Sequence, residues 1–443
     1  MQKQHLLQNS FFTKFPFLDV VCAVYIFFLP VFGGKILTDS LSWYQGMYVN
    51  YFQFRITLHL ILAIIVLSVF IWHFWKRYVT QKVIILSLLA LTFFCIYNFC
   101  ITNLHYSVDF AFVSTFKLFE LVITATALVI TIIVFTKSVI DNKNKQLFIG
   151  AILISGVLQL VLSIIQVLIG KPLFPELLYI LGQPKVFESY TFVGVNVLSR
   201  AYGTTPHPNI LAGIMVFFSL LFVIDRRVFW QKFLLLLPFV AVIALTLSRS
   251  GLLALVAGVS VIAIIQEFWS KKWMQNMTKI LQNDYFLAIR TLLILITGTL
   301  LTLLLGKIEN LPYFFETRIV LLRSYLGIIM NKNILGILFG NGFLSSIPQL
   351  VKESANLNTS LIFHNSFLIE PPHNGLVLLI NELGVIGTAT IFIGGFYLFH
   401  WAFSIIGENK EDQKKETSRL TALKVSLVFV TSILLLLDHY LIY

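Results

Sequence analysis

The feature that most constrains this chain is recurrence: runs of about twenty mostly apolar residues return along its whole length. They fall near 17–37, 57–75, 83–101, 115–136, 147–169, 209–225, 232–248, 251–268, 285–306, 383–406 and 420–441. A helix rises about 1.5 Å per residue, so each run is close to what a hydrocarbon core about 30 Å thick requires. Only 12% of the 443 residues are charged, against roughly 25% in soluble domains. So few charges cannot cover a water-soluble surface of this size, whereas acyl chains solvate Leu, Ile and Phe directly. The sequence predicts an all-α, polytopic membrane helix bundle of about 11–12 spans, forming one integral membrane domain over 1–443.

The connecting segments test the count. With the N-terminus inside, the inner segments hold Lys3 and Lys14; Lys76, Arg77 and Lys82; Lys137, Lys143 and Lys145; Arg226, Arg227 and Lys232; Lys271, Lys272 and Lys279; and Lys410, Lys414, Lys415 and Arg419. Segment 102–114, on the other side, has neither Lys nor Arg. This is the expected cytoplasmic bias of basic residues, and it predicts N-terminus in, C-terminus out. It also accounts for the net charge of +12 without nucleic acid. The first apolar run lacks a small-residue cleavage site and reads as a spanning helix. Cys22, Cys95 and Cys100 lie within apolar runs and read as structural thiols.

Nine spans are expected over 17–306 and two over 383–443, with a large outer loop over 307–382 between them. Loops beyond about 15 residues are functional or disordered, and this one is not of disordered composition. Residues 316–330 carry Arg318, Arg323 and apolar residues at helical spacing, which predicts an amphipathic helix at the interface. Gly336, Gly340 and Gly342 follow and predict a tight, turning backbone. A second long outer segment, 170–208, leads to Arg200 and His207.

The outer side holds few basic residues, so those present call for an explanation. Arg249 lies at the turn Thr246-Leu-Ser-Arg-Ser-Gly251, between two apolar runs. It is either a snorkelling anchor or an anion ligand. Guanidinium binds phosphate through paired hydrogen bonds that an ammonium cannot reproduce. Arg200 and Arg318 on the same side favour an anion ligand, with diphosphate on a membrane lipid the candidate at that depth. His373 is a helix cap or a general base, since nearby cations favour neutral imidazole. Glu382 orients that base or hydrogen-bonds a helix end. His207-Pro-Asn209 reads as a helix entry, with Pro208 in the first turn. Lys117 and Glu120 are spaced as a local helix pair. The Cys and His residues lack metal-ligand spacing, and no phosphate-cradling glycine loop is present.

Four stretches together resemble the O-antigen ligase and O-antigen polymerase superfamily of bacterial envelope enzymes: Arg200-Ala-Tyr-Gly-Thr-Thr-Pro-His-Pro-Asn209; Thr246–Gly251; Arg318 followed by Gly336 and Gly340-Asn-Gly342; and His373-Asn374 followed by Gly384 and Gly387. The likeness covers roughly residues 190–390. It implies a metal-independent glycosyltransferase without cofactor, at the outer face of the cytoplasmic membrane. The implied donor is a glycan on undecaprenyl diphosphate, and the implied acceptor is a hydroxyl on a glycan or lipid. Arg249 and Arg318 would hold the diphosphate and His373 would assist the attacking hydroxyl. Arg200, His207, Asn209, Asn374, Arg323 and Glu382 would complete the substrate-binding set. The family often has twelve spans where about eleven are counted here. A flippase or other polysaccharide transporter is the alternative, and it predicts internal repeats, broken helices and mid-membrane ionisable groups.

Overall fold

The structure is a computed structural model that describes residues 16–31, 34–38, 43–44, 47–48, 54–74, 78–140, 144–170, 189–192, 195–223, 229–268, 296, 299, 313–346, 348–350, 374–407, 426–427 and 431. It is an all-α helix bundle with a few short strands. Four helical stretches among the described residues are long and apolar enough to cross a membrane: Ser87–His105, Val108–Val139, Lys145–Ile169 and Gly375–Gly394. Several shorter apolar helices pack among them. Large side chains such as Phe93, Leu104 and Ile393 stay exposed on the outside of the bundle. The protein is membrane-embedded.

Helix α1 (Pro16–Phe28) opens on a proline, which suits the first helical turn, and it stops ahead of Pro30. The run expected to span 17–37 is therefore helical for 13 residues. Beyond it, β1 (Gly34–Thr38) pairs antiparallel with β4 (Phe54–Thr57), and β2 (Trp43–Tyr44) pairs with β3 (Met47–Tyr48). Helices α2 (Leu58–Phe74), α3 (Tyr78–His105), α4 (Val108–Ile140) and α5 (Lys145–Ile169) follow. Asn98 bonds Ser114 and Thr115 across α3 and α4, and Phe135 meets Phe148 across α4 and α5, so the three helices run successively antiparallel. Within α4, Lys117 Nζ donates to Glu120 at 2.9 Å, as its spacing suggests, and the Thr57 hydroxyl donates to the other carboxylate oxygen.

A hairpin of β5 (Ser189–Phe192) and β6 (Val195–Ser199) delivers the chain to Arg200. Then come α6 (Pro208–Val223), α7 (Phe229–Leu245) and α8 (Arg249–Phe268). One apolar cluster joins α1, α2, α4, α5, α6, α7 and α8. Lipid offers no hydrophobic drive between helices, so close approach of small residues matters more. Gly251 provides one such approach: a Cβ there would stand 2.7 Å from Cβ of Ala212.

The final part comprises α9 (Tyr313–Met330), α10 (Ile334–Phe339) and α11 (Gly375–Gly407). Helix α9 buries Leu321, Leu322, Tyr325 and Ile328 against Leu350 and Val377. The stretch 316–330 is helical, as expected, and it packs on α11. Helix α11 begins at Gly375, earlier than the run at 383–406 suggests. Asn374 explains this, because its Oδ1 accepts the Val377 amide at 3.1 Å as an N-cap. Within α11, Gly384 adopts φ 69° and ψ −179°, which breaks the helix. The runs expected at 285–306 and 420–441 lie outside the described residues, apart from isolated helical positions.

Candidate functional site

The first cluster forms around the turn 200–209. Helix α5 carries Gln159 and Gln166 on one face, two turns apart. Gln166 Oε1 accepts the amides of Tyr202 (3.0 Å) and Gly203 (2.8 Å), and its Nε2 donates to the Gly203 carbonyl at 2.8 Å. Gln159 accepts the Thr204 amide at 3.0 Å and donates to the Thr204 hydroxyl at 2.8 Å. That hydroxyl donates to the Pro30 carbonyl. Irregular backbone within a membrane protein persists only where its polar groups are satisfied by the protein or water. Two amide side chains meet that condition here.

The turn then reaches the next motif. The Ala201 amide donates to the carbonyl of Leu245, at the end of α7. Arg200 is 4% exposed. Its Nε donates to the Thr246 carbonyl at 2.9 Å, and its Nη2 donates to Asn209 Oδ1 at 2.7 Å. His207 Nδ1 accepts the Asn209 amide at 3.1 Å, capping α6. Arg200, His207 and Asn209 therefore form one unit with the 246–251 turn. That turn holds Leu247 at φ 53°, left-handed backbone that costs a leucine about 1–2 kcal/mol. Ser248 Oγ accepts the Gly251 amide at 3.2 Å and caps α8, whose first residue is the exposed Arg249.

The second cluster forms where segment 338–346 meets α11. This segment, expected in a surface loop, is inserted against α3 and α4. Asn98 Oδ1 accepts the Phe343 amide at 2.8 Å, and Ser114 Oγ donates to the Phe343 carbonyl at 2.7 Å. The Tyr97 hydroxyl donates to the Phe339 carbonyl at 2.8 Å. Leu344, like Leu247 in the first cluster, is left-handed, at φ 63°. Gly340 and Gly384 back onto one another. A Cβ on Gly340 would overlap the Glu382 carbonyl, and one on Gly384 would overlap the Leu338 carbonyl.

Breaking α11 at Gly384 deprives the carbonyls of Asn381 and Glu382 of helical partners. The inserted segment satisfies one and Lys332, which precedes it in the chain, satisfies the other. The amides of Asn341 (3.0 Å) and Gly342 (2.8 Å) donate to the Glu382 carbonyl. Lys332 Nζ donates to the Asn381 carbonyl at 2.7 Å. The Glu382 side chain is fully buried and its Oε1 accepts the Ser346 amide at 3.3 Å. Burial pushes the Lys332 ammonium down to about 8, and the carboxylate of Glu382 acts in the opposite direction.

The residues singled out from sequence thus divide between two clusters. Arg200, His207, Asn209 and Arg249 belong to the first and Glu382 to the second, while Asn374 caps the helix that carries Glu382. Arg323 is exposed on α9, which packs on α11. Arg318 lies on the same helix, with its side chain outside the described residues; His373, next to Asn374, also lies outside them. Both clusters occupy one end of the bundle. The 200–209 turn sits at the C-terminal ends of α5 and α7, and the inserted segment sits at the C-terminal end of α3 and the start of α4. Because α3, α4 and α5 alternate in direction, these ends coincide. Sequence reasoning missed Gln159, Gln166, Asn98 and Lys332. The two glutamines leave a signal, being amides at helical spacing inside an apolar run. Among the described residues no three of His, Cys, Asp or Glu converge as metal ligands would. The chain matches no family model, no curated protein and no solved structure.

Proposed function

We propose that this protein is a membrane glycosyltransferase of the O-antigen ligase or polymerase type. It transfers a glycan from undecaprenyl diphosphate to a hydroxyl acceptor at the outer face of the cytoplasmic membrane, in surface polysaccharide assembly. The observation that carries the proposal is Arg249. It is exposed and stands at the first residue of a 20-residue helix, where the positive end of the helix dipole favours acidic groups over basic ones. A helix N-terminus and an exposed guanidinium together suit an anion, and a diphosphate at the membrane surface is one.

The chemistry follows from that placement. The bond between the sugar carbon and the diphosphate oxygen breaks as the acceptor oxygen bonds to the same carbon. Arg249 and Arg318 stabilise the charge growing on the departing diphosphate. His373 takes the acceptor's proton. No cofactor enters the scheme. Leu247 and Leu344, both in left-handed backbone, add support, because strain of this kind gathers at functional loops.

One observation favours the transporter alternative. Discontinuous helices are a feature of transporters, and α11 is broken at Gly384. Here, however, the broken ends are occupied by the inserted segment. The purified protein in lipid vesicles, given a lipid-diphosphate glycan and candidate acceptors, separates the readings. Chain lengthening indicates a polymerase, a single capped product a ligase, and movement across the bilayer without bond formation a transporter.

A further inference from the structure

We propose that Lys332 is a positioning residue, a latch that holds the broken helix α11 against the inserted segment and so sets the head of that helix, where Asn374 follows His373. The role of His373 rests on the function proposed above; the latch itself rests on geometry.

Three features of the chain serve this one side chain. Gly384 breaks α11 and frees the Asn381 carbonyl, which Lys332 Nζ then takes at 2.7 Å. Gly336 makes room for the lysine stem: a Cβ at that position would lie 3.2 Å from Lys332 Cβ and 3.4 Å from its Cδ. Glu382, fully buried on the next residue of α11, offers the ammonium a counter-charge and ties the far side of the segment through the Ser346 amide. The glycines at 336, 340 and 384 therefore have a common physical purpose. They let a lysine stem and a backbone turn lie directly on an opened helix.

A fold needing only stability would not choose this arrangement. Taking an ammonium and a carboxylate out of water is costly, and an apolar pair of the same volume is often as stable or more so. The lowered proton affinity of Lys332 reflects that cost. What a charged latch supplies is one fixed geometry. The distance from Asn381 to Asn374 is two turns of helix, so the orientation of the helix head follows that of the break.

The test uses the full-length protein in lipid nanodiscs, with Lys332→Met and Lys332→Arg. Lys332→Met keeps the stem and loses the donor. Expected results are faster hydrogen exchange over 338–346, a lowered melting temperature because the Asn381 carbonyl and Glu382 lose the ammonium, and a roughly 10²-fold loss in kcat with KM nearly unchanged, the scale of a small misplacement of reacting groups. Lys332→Arg is expected to restore both exchange protection and turnover. Unchanged exchange in Lys332→Met overturns the proposal. So does a rise in KM alone, which would place Lys332 on the substrate. If wild-type protein transfers no glycan while Lys332→Met still opens the segment, the latch stands and the functional reading fails.

Discussion

Arg200 and Asn209 are joined across the turn they bracket, Nη2 to Oδ1 at 2.7 Å, while Nε of the same arginine holds the Thr246 carbonyl. A motif that reads as substrate-binding in the sequence is, in the fold, the tie between two loops. Asn209→Ala should leave a buried guanidinium short of an acceptor and cost about 1–3 kcal/mol. Arg200→Lys should do at least as much harm, since an ammonium cannot span both acceptors. Thermal unfolding in detergent checks both.

Arg249 behaves differently, because it is exposed at the head of α8. Arg249→Ala should leave the melting temperature almost unchanged and lower turnover by roughly 10²–10³-fold, the usual effect of removing one preorganised charge-stabilising group. Arg249→Lys should recover part of that loss, since it restores the charge without the planar fork. Steady-state kinetics with a lipid-diphosphate glycan would show it.

Gln166 is a single amide serving three backbone groups. Gln166→Leu should cost about 1–3 kcal/mol for each buried group left unsatisfied. Gln166→Glu keeps both acceptor bonds but sets a buried carboxyl against the Gly203 carbonyl, and the cost of that charge out of water should make it destabilising as well. Melting temperatures of the two variants check this.

Gly384→Ala should be severely destabilising, because the new Cβ meets the Leu338 carbonyl at a φ of 69°. Gly394→Ala, in the same helix, meets nothing within 4 Å and should gain up to about 1 kcal/mol from helix propensity. Expression level and thermal unfolding of the pair separate a required glycine from an incidental one.

Lys332 should give the stability a pH dependence. Its affinity for protons falls from the ordinary 10.5 to about 8 on folding, so between those values the unfolded chain binds more protons. Stability therefore rises with pH across that window, and below it the full cost of burying the ammonium is present. Lys332→Met should remove this rise, as followed by chemical denaturation at several pH values.

Much of this was legible in the sequence. The helix starting at Pro208, the turn at 246–251 and the helix over 316–330 follow from proline, glycine and apolar spacing. The start of α11 did not, because the short polar stretch Asn381-Glu382 interrupts its apolar run; only the fold reveals that those residues face the inserted segment. The shortening of α1 was hidden for a similar reason. Ile36 and Leu37 sit at the end of an apolar run, and only the pairing of 34–38 with 54–57 makes that end a strand. The clamps at Gln166 and Asn98 were hidden because a lone amide in an apolar run does not announce its distant partner.

The most direct test of the central claim is reconstituted transfer from an undecaprenyl-diphosphate glycan, comparing wild type with Arg249→Ala and His373→Ala. The account predicts new glycosidic product from wild type and almost none from either variant, with both variants still folded and inserted. Full transfer by both variants, or movement of the glycan across the bilayer with no bond formed, would contradict it.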